Sequence, residues 1–267
     1  KFEVYNKQYW SRPENLELVD FARKKIKNFL DGNIKTNDVF DLKKWAWFFA
    51  TTDLTYTFHG TDPNNVKMYY NPVNGLIEPI PYDGHRVNKN FNENLNNFES
   101  KTNFEMAKDC FTNIKICKKN DPANFWKYNL FYNKDRTLNK AFYKEYIDAL
   151  RDISDETFIS NFFSEREKDI TRINAAIYSD YFFIDNLPYD KYGPGLYFFS
   201  KDDIYLRAKK LREKIKPLLN KIYISDNINF LTIENNSLIN HQLKISKIIC
   251  NKFNARNVNT INQNINE

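Results

Sequence analysis

Phe58 to Arg86 reads FHGTDPNNVKMYYNPVNGLIEPIPYDGHR, and its interpretation decides how the rest of the chain is understood. Val66 to Tyr70 is a β-prone run, and Leu76 to Tyr82 is a second. Between them lie Asn71, Pro72, Val73, Asn74 and Gly75, where proline fixes φ and the Asn-Gly pair tolerates positive φ. Pairing about this turn sets Asn65 opposite Tyr82, so Asn65 and the next residue, Asp83, arrive at one open end. His59 and Asp62 sit in the loop feeding that end. An amide oxygen and two carboxylates meeting at a strand end suit a hard cation such as Mg2+. The competing reading is a surface hairpin whose Asn and Asp residues only form turns and caps.

Upstream, Pro13 and the run Glu14 to Leu30 predict a helix with an apolar stripe of Leu16, Val19, Phe21, Ile26, Phe29 and Leu30, ended by Gly32-Asn33. A second helix begins near Asp38 or Asp41, either of which is a suitable cap. Its Leu42, Trp45, Ala46, Phe48, Phe49, Ala50 and Leu54 are apolar on nearly every side, the pattern of a helix buried at a domain centre. Such a helix running straight into a polar loop is how a rigid scaffold holds a reactive segment.

Downstream, Asn88 to Asn124 is Asn-rich and irregular. It reads as a long connection with short helical pieces, tacked down by Phe91, Leu95, Phe98, Phe104, Met106 and Phe111. Phe125 to Leu130 forms a further aromatic cluster. Leu138 to Leu150 predicts a helix, Ser154 to Phe163 another with Ser154 and Thr157 at capping positions, and Ile170–Phe182 and Lys201–Asn220 two more. A Pro/Gly break (Pro188, Gly193, Pro194, Gly195) separates the last two, and Pro217 kinks or ends the final one. Residues 1–220 thus read as one domain. From Lys221 the pattern turns to strands (Ile222–Ile224, Ile228–Ile233, Leu243–Ile249), so residues 221–267 read as the start of a small β unit with a frayed tail beyond Asn251.

The chain has 267 residues, enough for one large or two modest domains, with 42% hydrophobic residues, 23 Phe, 17 Tyr and 4 Trp. Six Gly argue against Rossmann or P-loop nucleotide loops. The net charge of +6 is dispersed among interleaved acids and bases. Its densest runs, Lys24-Lys25-Ile26-Lys27 and Arg207 to Lys216, read as solvated helix faces and not nucleic-acid patches. Cys110, Cys117 and Cys250 contain no CxxC, so neither a zinc site nor a disulfide framework is indicated. Seven residues apart on one straight helix, Cys110 and Cys117 would be about 10 Å apart, too far to pair; only a loop would let them. The first residue is Lys1, without a signal peptide or long apolar run, so the chain reads as a segment of something longer.

The opening stretch resembles the CotH family, spore-coat-protein-H-like atypical kinases, whose members carry an acidic loop, a strand, a turn and a second strand ending in Pro-aromatic-Asp. The matching residues are Thr61-Asp62, Pro63, Asn64-Asn65-Val66-Lys67 and Pro79-Ile80-Pro81-Tyr82-Asp83. FDLKKWAWFFATTDL resembles the family's preceding helix, and LNKAFYKEYIDALRDISDETFISNFF its later helices, so the similarity runs from about Asp38 to Lys216. The resemblance implies an α+β fold, a mostly helical kinase-like C-terminal lobe with a catalytic β-hairpin, the family's N-terminal lobe lying outside this segment. It implies ATP and Mg2+ as cofactors and transfer of the γ-phosphate to a protein Ser or Thr. Asn65 and Asp83 would hold the metal and nucleotide, and Asp62 would orient the acceptor hydroxyl. It also implies an extracellular or cell-surface setting. Kinases place the loop Asp five positions before the Asn, where this chain has Gly60; Asp62 is three before, and His85 stands where a second acid is common. Either the loop is shorter with Asp62 shifted, or His59 takes the role, or catalysis is lost. The alternative implied is a pseudokinase or a surface structural protein.

Overall fold

The computed structural model describes residues 3–62, 64–82, 84, 101–111, 114–120, 122–180, 201–215, 221–224 and 231–234. It is mostly helical with small antiparallel two-stranded sheets, an α+β arrangement. The chain divides into two compact units, Lys1–Arg212 and Glu213–Glu267.

The first unit is assembled around α3, Leu42–Thr55, whose Asp41 cap accepts from the Lys44 N–H at 3.1 Å. Trp45, Ala46, Phe49 and Ala50 of this helix have no exposed surface. Being apolar on several faces, α3 must be covered on several faces, and it is. On one side the Phe49 ring meets Phe142 at 6.1 Å on α7, Lys140–Ile153. Phe49 also stacks on Phe131 at the end of α6, Pro122–Phe131. Trp45 meets Trp126 of α6 edge-on, and both lie against Phe40. Edge-to-face contacts of this kind add about 0.5–1.5 kcal/mol each to simple area burial. Phe125 to Leu130, which the sequence presents only as an aromatic cluster, is thus helical, with Trp126 and Tyr128 buried.

The long helix α2, Pro13–Leu30, packs with a narrower stripe than its sequence suggests. Val19, Ile26 and Phe29 are buried, whereas Leu16, Phe21 and Leu30 are about half exposed. Phe21 meets Tyr70 of the hairpin at 5.8 Å in a tilted contact and stays about half exposed. Gly32, with φ of +72°, turns the chain out of the helix as expected of a C-terminal glycine.

The hairpin forms with the predicted register. β1, Lys67–Asn71, pairs antiparallel with β2, Leu76–Ile80, in the order Lys67↔Ile80 to Asn71↔Leu76. Gly75 supplies the left-handed turn residue at φ +69°. The outer edge of β2 is stitched to the segment before α3: Ile77 N–H donates to Val39 and Asp41 N–H donates to Ile77, at 2.8 and 3.1 Å. The Trp45 indole N–H donates to the same Ile77 carbonyl at 2.9 Å. One fully buried residue therefore locks hairpin, lead-in and central helix together.

Between Asp83 and the next described helices, residues 85–100 fall outside the described set, and with them Phe91, Leu95 and Phe98. The segment then becomes helical: α4 is Asn103–Asp109 and α5 is Ile114–Asn120. Because α4 ends before Cys110 and a new helix starts at Ile114, Cys110 and Cys117 are not on one straight helix. Their Cα atoms approach to 5.3 Å and they form a disulfide, the outcome the sequence allowed for if the segment did not run as one helix. Helices α8, Glu156–Glu165, α9, Glu167–Asp180, and α10, Lys201–Ile215, follow. Asp155, not Ser154 or Thr157, caps α8; Ser154 ends α7. The Pro188 to Gly195 break and Pro217 lie outside the described residues.

In the second unit, β3, Lys221–Ile224, pairs antiparallel with β4, Leu231–Glu234. Leu243–Ile249 and the tail after Asn251 lie outside the described residues.

Candidate functional site

The loop that carries the candidate residues starts where α3 stops. Tyr56 caps the helix in the left-handed conformation, φ 60°, and its N–H returns to the Thr52 carbonyl. A non-glycine residue held there carries a conformational cost and needs surrounding contacts to keep it. Those contacts are present: the Tyr56 ring meets Phe58 at 4.9 Å and the Arg207 guanidinium lies 5.5 Å from its centroid.

A 3-10 turn, Phe58–Thr61, follows, closed by Thr61 Oγ1 donating to the Phe58 carbonyl at 2.7 Å. Asp62 ends this turn, and its own carbonyl accepts from the N–H groups of Asn65 and Val66 at 2.9 and 2.7 Å. This folds the chain back so that Asn65 returns over His59. The Asn65 Nδ2 lies 3.1 Å from each His59 ring nitrogen and 3.4 Å from the His59 carbonyl. Of the four residues proposed from sequence, His59 and Asn65 are in direct contact, and Asp62 is in the turn between them. The paired register ends at Lys67↔Ile80, and Asn65 lies two residues before β1 in the turn that follows Asp62. Asp83 and His85 lie outside the described residues. With its nitrogen engaged by His59, the Asn65 amide keeps its oxygen as an acceptor, a single donor of the kind a hard cation takes. Among the described residues no group of three or more His, Cys, Asp or Glu gathers into a complete metal site.

Beside this loop, between α3 and the outer edge of β2, opens a cleft of about 480 Å³. Gly60 and Gly84 line its loop end, Trp47 and Thr51 the helix side, and Pro79, Pro81 and Tyr82 the strand side. Lys44 stands at its rim, 2.7 Å from Glu78 and 3.7 Å from Asp41. Hydrogen bonds from Lys44 and then Asn71 hold the Glu78 carboxyl below the ordinary range.

Sequence reading missed what lies beneath the loop. Asp53, in the last turn of α3, is completely buried. Its Oδ1 accepts from the backbone and side-chain N–H groups of Asn103 at 2.8 and 3.1 Å, and its Oδ2 from the Tyr146 hydroxyl at 2.5 Å. Its backbone carbonyl accepts from Arg207 Nε at 2.8 Å. Arg207 has no exposed surface, which corrects the reading of Arg207 to Lys216 as a uniformly solvated face. Burial raises the Asp53 carboxyl to about 6 against the opposing pull of Tyr146, Arg207 and Asn103. Burial likewise lowers Arg207, while Asp53 opposes that shift. Buried charges persist when they are paired and hydrogen-bonded, and this one is held by three separate helices besides its own. The available signal was a single acid in an otherwise apolar helix, which demands buried partners.

No family model matches the chain, and no curated protein or solved structure matches it.

Proposed function

We propose that the chain carries the catalytic part of a CotH-like atypical protein kinase, which moves the γ-phosphate of ATP to a Ser or Thr hydroxyl of a protein. The observation that supports this reading is the β1–β2 register, Lys67↔Ile80 to Asn71↔Leu76, which if continued by two residues would set Asn65 across from Tyr82, the residue before Asp83. The order Asp62, Asn65, hairpin, Asp83 follows the phosphoryl-transfer arrangement in which a loop acid and amide precede a hairpin and a metal-binding acid follows it. Asn65 and Asp83 would hold Mg2+, which supplies charge neutralisation at the transferring phosphoryl group. Asp62 would orient the acceptor hydroxyl, and His59 would hold the Asn65 amide through its nitrogen. The Cys110–Cys117 disulfide supports an extracellular or cell-surface setting, since such bonds persist in oxidising compartments. Among the described residues no helix is long and apolar enough to cross a membrane.

A second reading, a pseudokinase or surface structural protein keeping the fold, is favoured by the short loop. Gly60 occupies the usual position of the loop Asp, and Asp62 follows it within a tight turn. Measuring Mg-ATP binding and radiolabelled phosphate transfer separately on the natural full-length protein distinguishes the two. The kinase reading requires Mg2+-dependent transfer that Asp83→Ala abolishes. Binding without transfer is the pseudokinase result, and undiminished transfer by Asp83→Ala removes the site assignment.

A further inference from the structure

The pair that turns the hairpin also sets a nucleophile beside an electrophile. Asn74-Gly75 is the only Asn-Gly in the sequence, and Asn74 is exposed. Gly75 sits at φ +69°, where a side chain is strained, so the fold keeps this position without a Cβ. A peptide nitrogen with no Cβ beside it is the least hindered nucleophile a chain offers to the side-chain amide that precedes it.

The hydrogen bonds around that amide activate its carbonyl. Asn74 Oδ1 accepts from the Leu76 N–H at 2.9 Å, closing a ring that contains the Gly75 nitrogen. The Lys25 ammonium donates to the Gly75 carbonyl, the other end of the same peptide group as the Leu76 N–H. Hydrogen bonds in series polarise one another, so Lys25 strengthens the Leu76 N–H as a donor to Asn74 Oδ1. A donor already in place on that oxygen is what a tetrahedral oxyanion forming there requires. Lys25 comes from α2, far from the turn in sequence, so only the folded chain has this arrangement. After Lys44 and Asn71, the Asn74 side chain is a further hydrogen-bond partner of Glu78. One contact opposes the reaction: the Gly75 N–H donates to the Asn71 carbonyl at 2.8 Å, and that bond has to open before the proton leaves.

We propose that Asn74 is a site of spontaneous covalent modification, in which the Gly75 nitrogen attacks the Asn74 amide and Lys25 activates that amide through the Leu76 N–H. The Gly75 N–H gives its proton to solvent hydroxide, and its nitrogen bonds to Asn74 Cγ. The C=O electron pair moves onto Oδ1 and returns as the bond from Cγ to the amide nitrogen breaks. Ammonia leaves with a proton taken from water. The five-membered imide then takes up one water. Opening at one carbonyl leaves aspartate; opening at the other routes the main chain through Cβ and lengthens the turn. Either product brings a carboxylate to the neighbourhood of Glu78, and the second alters the turn that sets the β1–β2 register. No step draws on phosphoryl transfer, so the proposal stands apart from the kinase reading.

The test is mass spectrometry of the tryptic fragment Met68–Arg86 after the full-length protein is aged at mildly alkaline pH. The fragment's other asparagine, Asn71, precedes Pro72, whose nitrogen has no proton to lose. The mass gain of replacing NH2 by OH through a cyclic imide therefore belongs to Asn74. Wild type should accumulate two chromatographically distinct products of equal mass. Lys25→Met and Lys25→Gln, which remove the charge but keep the reach, should each slow the gain about threefold. Lys25→Arg, which keeps a cationic donor, should hold the wild-type rate. Asn74→Gln, whose longer side chain closes a less favourable six-membered ring, should leave the fragment unmodified. Circular dichroism melting of the Lys25 variants separates lost activation from a loosened turn. A wild-type fragment that gains no mass overturns the proposal. Equal or faster gain in folded Lys25→Met and Lys25→Gln overturns it too, since the pair would then react without help from the fold.

Discussion

The end of α3 and the loop it feeds are neighbours in sequence and opposites in physical character. At the base, Asp53 is sealed from water and bound by Asn103, Tyr146 and Arg207. At the tip, His59, Asp62 and Asn65 hold one another through a tight turn and are partly exposed, His59 and Asn65 by direct contact. The base is bound by buried partners from three other helices, and the tip is partly exposed. Mutations should therefore separate cleanly: stability is lost at the base, function at the tip.

The largest stability effect belongs to the base. Arg207→Ala or Asp53→Ala leaves a buried charge without its partner, and each should cost about 3–5 kcal/mol in chemical denaturation. Equal melting of wild type and either variant would break the contrast at its stronger end. Trp45→Ala, which removes the fully buried ring that reaches Ile77, should cost about 3–5 kcal/mol by the same measurement.

The base also carries a pH signature. Burial raises the folded-state Asp53 carboxyl from 3.8 to about 6, so between those values the folded chain keeps a proton that the unfolded chain has released. Its contribution is present at about pH 4 and below, and is lost as pH rises toward about 6. Compared with Asp53→Asn, wild type should lose stability across that window. A difference between the two that is flat with pH would show that the carboxylate is not held in that environment.

Next in size is the disulfide. Reduction opens a loop with a sequence separation of 7, for which chain entropy gives about 2–3 kcal/mol. Dithiothreitol should lower the melting temperature of wild type and leave Cys117→Ser unchanged. The smallest stability effects are expected at the tip: Asp62→Ala and Asn65→Ala, partly exposed and each losing a side-chain contact, should cost about 0.5–1.5 kcal/mol. Phosphate transfer, in contrast, should fall by about a hundredfold or more in each.

Much of this arrangement was legible in the sequence because it depended on local chemistry. Asn74-Gly75 fixed a turn, the turn fixed a register, and the register needed nothing distant to be read. The apolar residues of α3 announced a buried helix by the same local logic. The base of the loop was not legible, because Asp53 acquires its meaning from Asn103, Tyr146 and Arg207, each far away in sequence. Arg207 shows the failure most plainly: the charged run in α10 reads as a solvated face, and only tertiary packing turns Arg207 inward. The disulfide was hidden in the same way, since spacing excludes it on one helix and only the break between α4 and α5 permits it.

The central claim is that the hairpin brings Asn65 and Asp83 to one metal. Mn2+ affinity, read by electron paramagnetic resonance in wild type, Asn65→Ala, Asp83→Ala and the double variant, tests it most directly. The account predicts weaker binding in each single variant, with a double variant that loses less than the sum of the two because they share one ion. Mn2+ binding that is undiminished in both single variants would contradict it.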